Sequence, residues 1–265
     1  MERKHIVTIS VVGIVIIVFL GLVYYINDNS GVNPPFTVVE SQSMQHIDDK
    51  SELGIIDTGD MIYVQSPDKC DIISYVDGYK TGYKTFGDYG SVIVYKRDSG
   101  NPVIHRAIVY VEKNGSSWNI ESLQGFDESL WNINGTEHEY MNVSGTLNII
   151  FESDYRSYTC SINLNSLLQS GYLTLGDNNT TFDQNSGIMT NRPISKEMIK
   201  SVASTEIPWL GCLKLLVNGK EDRIEAHAPN SIECLEISFI SIILIIVSLS
   251  FVFDEINVYR ISRKF

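Results

Sequence analysis

No charged residue occurs between Ile6 and Ile26, and the run ISVVGIVIIVFLGLVYYI within it is almost wholly apolar. About 20 such residues cross the hydrocarbon of a bilayer as a helix, so a membrane span is the strongest constraint on this chain. Arg3 and Lys4 precede the run, and Tyr24 and Tyr25 fall where an interfacial aromatic belt would lie. A cleaved signal peptide is the competing reading. Its apolar core would be shorter and would normally end at a small-x-small site, whereas YYINDNS follows here.

A second charge-free run, Ile237 to Phe253, has 17 residues, the short end of the spanning range. Ser238, Ser241 and Ser248 keep a buried core helix open as its alternative. Arg260, Arg263 and Lys264 follow it, so the positive-inside rule puts both termini in the cytoplasm and residues 28–235 outside. The rest of the charge agrees. Of 20 Lys+Arg and 32 Asp+Glu, residues 1–5 and 254–265 hold five basic and three acidic groups, leaving 15 against 29 between them, a net −14. So acidic a body argues against nucleic acid as main partner, since neutralising phosphates needs basic surface. An aromatic content of 10% excludes a disordered chain. The expected organisation is an N-terminal anchor over 1–27, an extracytoplasmic domain over 28–235, and a C-terminal transmembrane helix with a short cytoplasmic tail over 236–265.

Within 28–235 the apolar residues come in short β-branched and aromatic runs between Gly, Asp, Asn and Pro. Asp60–Gln65, Ser91–Lys96, Val103–Val111, Leu147–Phe151 and Tyr172–Leu175 read as strands. The one helical candidate there is Ser195–Ala203, after Pro193. Strands without alternating helices predict a mainly β, antiparallel domain. Residues 77–90 and 113–170, rich in Gly, Asn, Ser and Tyr, read as long hairpins or insertions around a smaller core.

Cys70, Cys160, Cys212 and Cys234 form no C-x-x-C pair, and no disulfide pairing can be read from them. Sequons at Asn114, Asn134, Asn142, Asn178 and Asn179 are compatible with an exported domain. The five histidines, His5, His46, His105, His138 and His227, show no metal-ligand spacing, and no Gly-rich phosphate loop is present. No cofactor and no metal are expected.

Three stretches carry potential chemistry. Ser41-Gln-Ser43-Met44 follows the first span, His105-Arg106 interrupts an apolar strand, and Gly176-Asp177-Asn178-Asn179 is followed by Asp183. Singly, these are a linker serine, a structural histidine and an Asp/Asn turn. In order, with Asp57-Thr-Gly-Asp60, Gly90–Lys96 and Ile207-Pro-Trp-Leu-Gly211 among them, the series resembles the type I signal peptidases. The likeness is to the archaeal and endoplasmic-reticulum branch, in which a His-Arg pair replaces the lysine base of the bacterial enzymes. It covers roughly residues 6–107 and 172–216.

The resemblance implies a signal-peptidase-like β domain and a membrane-bound serine endopeptidase. Ser43 matches the nucleophile, Ser41 and the Ser43 N–H the oxyanion donors, and His105 the general base. Asp183 matches the aspartate that orients the base, and Asp177 a second sensitive aspartate. The residues alone do not choose between Asp177 and Asp183 as the partner of His105. The implied partners are preprotein signal peptides as substrate, membrane lipid, and the translocon as a neighbour. The chain departs from the pattern at Gln45-His46, where an acidic or aromatic residue and then proline are usual. It departs again at Leu175 and Gln184, and in the long interval from His105 to Gly176. The alternative from another class is a non-catalytic, membrane-anchored surface β-domain for adhesion or assembly.

Overall fold

A computed structural model describes residues 3–97, 100–135 and 137–262, with the side chains of residues 3–9, 11 and 252–262 left undescribed. Arg263 and Lys264, used above for orientation, lie outside the described residues. The chain opens on a 28-residue helix, α1 (Arg3–Ser30), and closes on a 33-residue helix, α5 (Asn230–Ser262). Both contain a window long and apolar enough to cross a membrane, Val12–Ser30 and Asn230–Phe251. Only 6% of the second window is buried. The helix therefore is not the core of the β body, and it is longer than the charge-free run that marks it in sequence.

Between these helices the protein is mainly β, with every strand pair antiparallel. The strands are β1 (Phe36–Val38), β2 (Met61–Gln65), β3 (Lys84–Thr85), β4 (Asp88–Tyr89), β5 (Val92–Tyr95), β6 (Val103–Asn114) and β7 (Ser117–Asn119). They continue with β8 (Trp131–Ile133), β9 (Thr146–Ser153), β10 (Arg156–Asn163), β11 (Gly171–Leu175) and β12 (Ile199–Ile207). The main sheet runs β1-β2-β12-β5-β6-β11, with β7 folded back on β6. Strands β5 (VIVY) and β11 (GYLTL) are buried along their whole length, which is why both appear in sequence as unbroken β-formers rather than alternating patterns. A second sheet, β10-β9-β8, and the β3-β4 hairpin complete the set.

The five strands read from sequence all form. The helix expected over Ser195–Ala203 does not: a single 3-10 turn at Lys196–Met198 leads straight into β12. Strand β12 pairs with β2 on one side and β5 on the other, and these ladders outweigh a weak local helix preference. Three short helices were not legible in sequence: α2 (Tyr75–Thr81), α3 (Gly211–Val217) and α4 (Glu221–His227). Helix α2 is capped by Ser74, whose hydroxyl accepts the Asp77 N–H, and it stops at left-handed Gly82.

The stretches read as insertions are not peripheral. Trp118, Ile120, Leu123, Trp131, Leu147, Ile149, Phe151 and Ile162, all from residues 113–170, are buried with Tyr75, Ile108, Leu173, Leu175 and Phe182 in one cluster. A second cluster, Val39, Met44, Ile56, Ile62, Val64, Val92, Val94 and Ala203, lies under the segment that carries Ser43. The four cysteines are unpaired thiols.

Candidate active site

Strand β6 presents His105 and Arg106 side by side, both buried. Adjacent residues on a strand point to opposite faces, so the pair reaches two different acids. His105 Nδ1 lies 2.9 and 2.8 Å from the two carboxylate oxygens of Asp183. An ionised carboxylate only accepts, so Nδ1 is the donor, and in the neutral ring Nε2 is the nitrogen left to accept a proton. Asp183 also accepts the Tyr95 hydroxyl at 2.5 Å, and its own N–H donates to Thr174 O. Burial first, then the Asp183 charge, pushes the Tyr95 phenol far up, so it stays protonated and remains the donor.

Arg106 points the other way and grips Asp177 through Nε at 2.8 Å and Nη2 at 2.5 Å. Its Nη1 donates to the carbonyls of Thr85, Asp88, Tyr89 and Gly90. Residues 77–90 thus wrap a buried guanidinium. Burial opposes ionisation of Asp177, but the Arg106 charge and hydrogen bonds, the His46 hydrogen bond and the Arg156 charge outweigh it and hold the carboxyl well below its ordinary range.

Ser43 sits on the loop between β1 and β2, half-buried, with Met44 beside it plugged into the second core cluster. Its hydroxyl lies 3.3 Å from that of Ser41. Two sets of bonds fix the loop. From one side Asn178 N–H donates to Ser43 O at 3.0 Å, and Asn178 Nδ2 donates to Gln42 O. From the other side comes α4. Lys220 Nζ pairs with Glu40 at 2.6 Å, Arg223 donates to Glu40 O, and His227 Nδ1 meets Gln42 Oε1 at 3.0 Å. The fully buried Gln45 donates to His227 O and accepts the Thr58 hydroxyl.

Gly176 is the hinge of the arrangement. A Cβ there would stand 2.5 Å from Ser43 O and 2.9 Å from His105 Nε2, so only glycine lets the turn pass between serine and histidine. The two atoms are no farther apart than those distances together, which puts the free face of the imidazole beside the backbone of Ser43. The structure therefore brings Ser43, His105, Asp183 and Ser41 into one neighbourhood, with Asp177 behind it against Arg106.

The Asp57-Thr-Gly-Asp60 stretch is a scaffold for this loop. Asp60 accepts Asp57 N–H and Trp209 N–H, each at 2.8 Å, and ties the end of β12 to the base of the loop. Burial pushes the Asp57 carboxyl up to about 6 and that of Asp60 up to about 8.

The sequence placed Tyr95 only within a strand, and His46 among histidines without metal-ligand spacing and at a departure from the family pattern. It gave no role to Tyr155 or Arg156. The signal for Tyr95 was a phenol at the end of an otherwise apolar run, Val92–Val94. Among the described residues no group of His, Cys, Asp and Glu is arranged to hold a metal ion. No protein-family model, curated protein or solved structure matches the chain.

Proposed function

We propose that this chain is a membrane-anchored serine endopeptidase of the signal-peptidase type, cutting signal peptides from exported preproteins. The observation that carries the reading is the buried His105–Asp183 pair, whose free Nε2 faces the Ser43 segment across Gly176. On this reading Nε2 takes the Ser43 proton as Oγ attacks the scissile carbonyl. The tetrahedral oxyanion is met by the Ser41 hydroxyl and the Ser43 N–H. The protonated His105 then gives its proton to the leaving amine, and a water deprotonated by the same nitrogen hydrolyses the acyl-enzyme. The signal-peptide preference rests on the sequence resemblance and on the two apolar helices, which would hold the site at a bilayer surface with the β body outside the cytoplasm.

The non-catalytic reading draws on one observation: the Ser43 hydroxyl has the Ser41 hydroxyl, not His105, as its partner. Catalytic hydrogen bonds often tighten only with substrate bound, and this spacing is compatible with the peptidase reading as well. The test is cleavage of a preprotein by the full chain in lipid vesicles. Ser43→Ala and His105→Ala should each lose activity by several decades while the protein still accumulates. Undiminished cleavage by Ser43→Ala would rule the reading out.

A further inference from the structure

His46 lies three residues beyond Ser43, on the same loop, with its side chain only 8% exposed. Three different parts of the chain meet its ring. Nε2 is 3.2 Å from Asp177 Oδ2. One face stacks on Tyr155, centroid to centroid 3.6 Å, with the planes 5° apart. Its edge lies against Gly87, where a Cβ would come within 2.7 Å of Cε1. Asp177 is ionised and can only accept, so His46 donates from Nε2. Two acids, Asp177 and Asp88, face two guanidiniums, Arg106 and Arg156, and the His46 imidazole completes this buried cluster.

Tyr155 occupies the turn between β9 and β10, the far end of a hairpin whose inward residues Leu147, Ile149, Phe151, Cys160 and Ile162 lie in the largest core cluster. The tip is itself fixed. The Tyr155 hydroxyl donates to Asp88, Arg156 Nη2 reaches the same carboxylate at 2.5 Å, and the Tyr158 hydroxyl donates to Asn179 O. The hairpin thus holds three walls at once: residues 77–90 through Asp88, the Gly176–Asn179 turn through Asn179, and the Ser43 loop through His46.

We propose that His46 is a positioning residue for the Ser43 nucleophile, clamped between Asp177 and Tyr155, so that the β9–β10 hairpin of the 113–170 segment works as a brace of the active site. This rests on the peptidase reading above. A loop stacked on a ring that is itself anchored in the core cannot drift, and drift of about 1 Å at a nucleophile costs roughly a hundredfold in rate.

The experiment measures kcat and KM for preprotein cleavage by the full chain in vesicles, with amide hydrogen exchange of residues 41–46 as the second readout. Tyr155→Ala and His46→Phe are compared with Tyr155→Phe, which keeps the ring, and His46→Gln, which keeps a donor for Asp177. The expected result is a fall in kcat of about 10- to 100-fold for Tyr155→Ala and His46→Phe, with KM changed less than about threefold. Exchange at 41–46 should quicken, and Tyr155→Phe and His46→Gln should lose less than their partners. Normal kcat and exchange in Tyr155→Ala and His46→Phe, with Ser43→Ala inactive, overturns the brace and leaves the peptidase reading standing. Cleavage by Ser43→Ala overturns both. If Tyr155→Ala does not fold, Tyr155→Leu, which removes the stacked ring but fills its space, takes its place beside His46→Phe.

Discussion

Arg106 holds Asp177 through two hydrogen bonds, of 2.8 and 2.5 Å, and so takes that aspartate away from His105. The neighbouring residue on β6 is thereby left with Asp183 as its partner, and the two acids acquire separate tasks. One fixes an imidazole; the other fixes a turn.

Asp183→Asn should lower kcat by about a thousandfold or more, because an amide no longer enforces the Nδ1–H tautomer. Asp177→Asn should act mainly on folding, since it leaves Arg106 buried with a weakened partner; a loss of about 3 kcal/mol or more is expected, with a smaller fall in kcat through His46. Kinetics and thermal unfolding of the two variants separate these effects. Equal catalytic losses with equal stability would show that the division is wrong.

Tyr95→Phe removes the hydroxyl that donates to Asp183 and leaves the ring in place. With one of its fixed donors gone, Asp183 should hold the imidazole less firmly. We expect kcat to fall roughly tenfold, on the scale of one hydrogen bond. The pH at which activity half-develops should also move, whereas unfolding should change little. An unaltered pH–rate profile would argue against the role.

Lys96 is exposed at the end of β5, with its backbone N–H bonded to Met198 O. A lysine serves as a base only when burial lowers its pKa, and this one is open to water. Lys96→Ala should cleave preprotein at the parent rate, whereas His105→Lys should be poorly active. An inactive Lys96→Ala beside an active His105→Ala would make Lys96 the base.

The raised carboxyls of Asp57 and Asp60 predict an unusual response to pH. A group whose folded-state pKa exceeds its unfolded value stabilises the fold at low pH and loses that contribution as pH climbs through the folded value. From the ordinary 3.8, the loss sets in through about 6 for Asp57 and about 8 for Asp60. Asp177, held low, has the opposite sign and destabilises only in acid. The unfolding temperature should therefore peak at mildly acidic pH and fall toward about pH 8. Asp60→Asn should flatten that fall, and an identical slope in the variant counts against the assignment.

Orientation can be tested independently of chemistry. Ser116 is exposed in the turn between β6 and β7, so Ser116→Cys, in a background with Cys70 and Cys234 replaced by serine, gives a probe on the β body. An impermeant thiol reagent should label it in intact cells. Labelling only after lysis would place Ser43 in the cytoplasm and end the signal-peptidase reading.

The strands legible in the sequence were those whose burial makes them unbroken β-formers, such as Val92–Tyr95. The segment 113–170 was obscured because its core residues Trp118, Leu123 and Trp131 are spaced by polar turns and belong to strands of only three residues or to a single 3-10 turn, with Ile120 between two of these elements. Periodicity needs longer windows than that. Helices α3 and α4 were hidden for the same reason: Cys212, Leu215 and Ile224 find their apolar partner in Leu235, far along the chain. Within the site, Ser43, His105 and Asp183 stood out by order and residue type. The roles of Tyr95, His46 and Tyr155 depend on contacts 88, 131 and 67 residues apart in the chain, which no local pattern records.

Helix α4 grips Glu40, Gln42 and Gln45 and, after Ala228-Pro229, runs into α5. Asn230 at the head of α5 is bonded both ways to Ser51, and Ser231 to Thr58 O. The separation between the serine and the first turn of that long apolar helix is therefore a fixed length rather than a flexible tether. A peptide segment lying alongside α5 would be measured against a rigid ruler. On the peptidase reading, the site of the cut is then set by how many apolar residues precede it, and thinning the bilayer should shift the preferred substrate toward shorter hydrophobic segments.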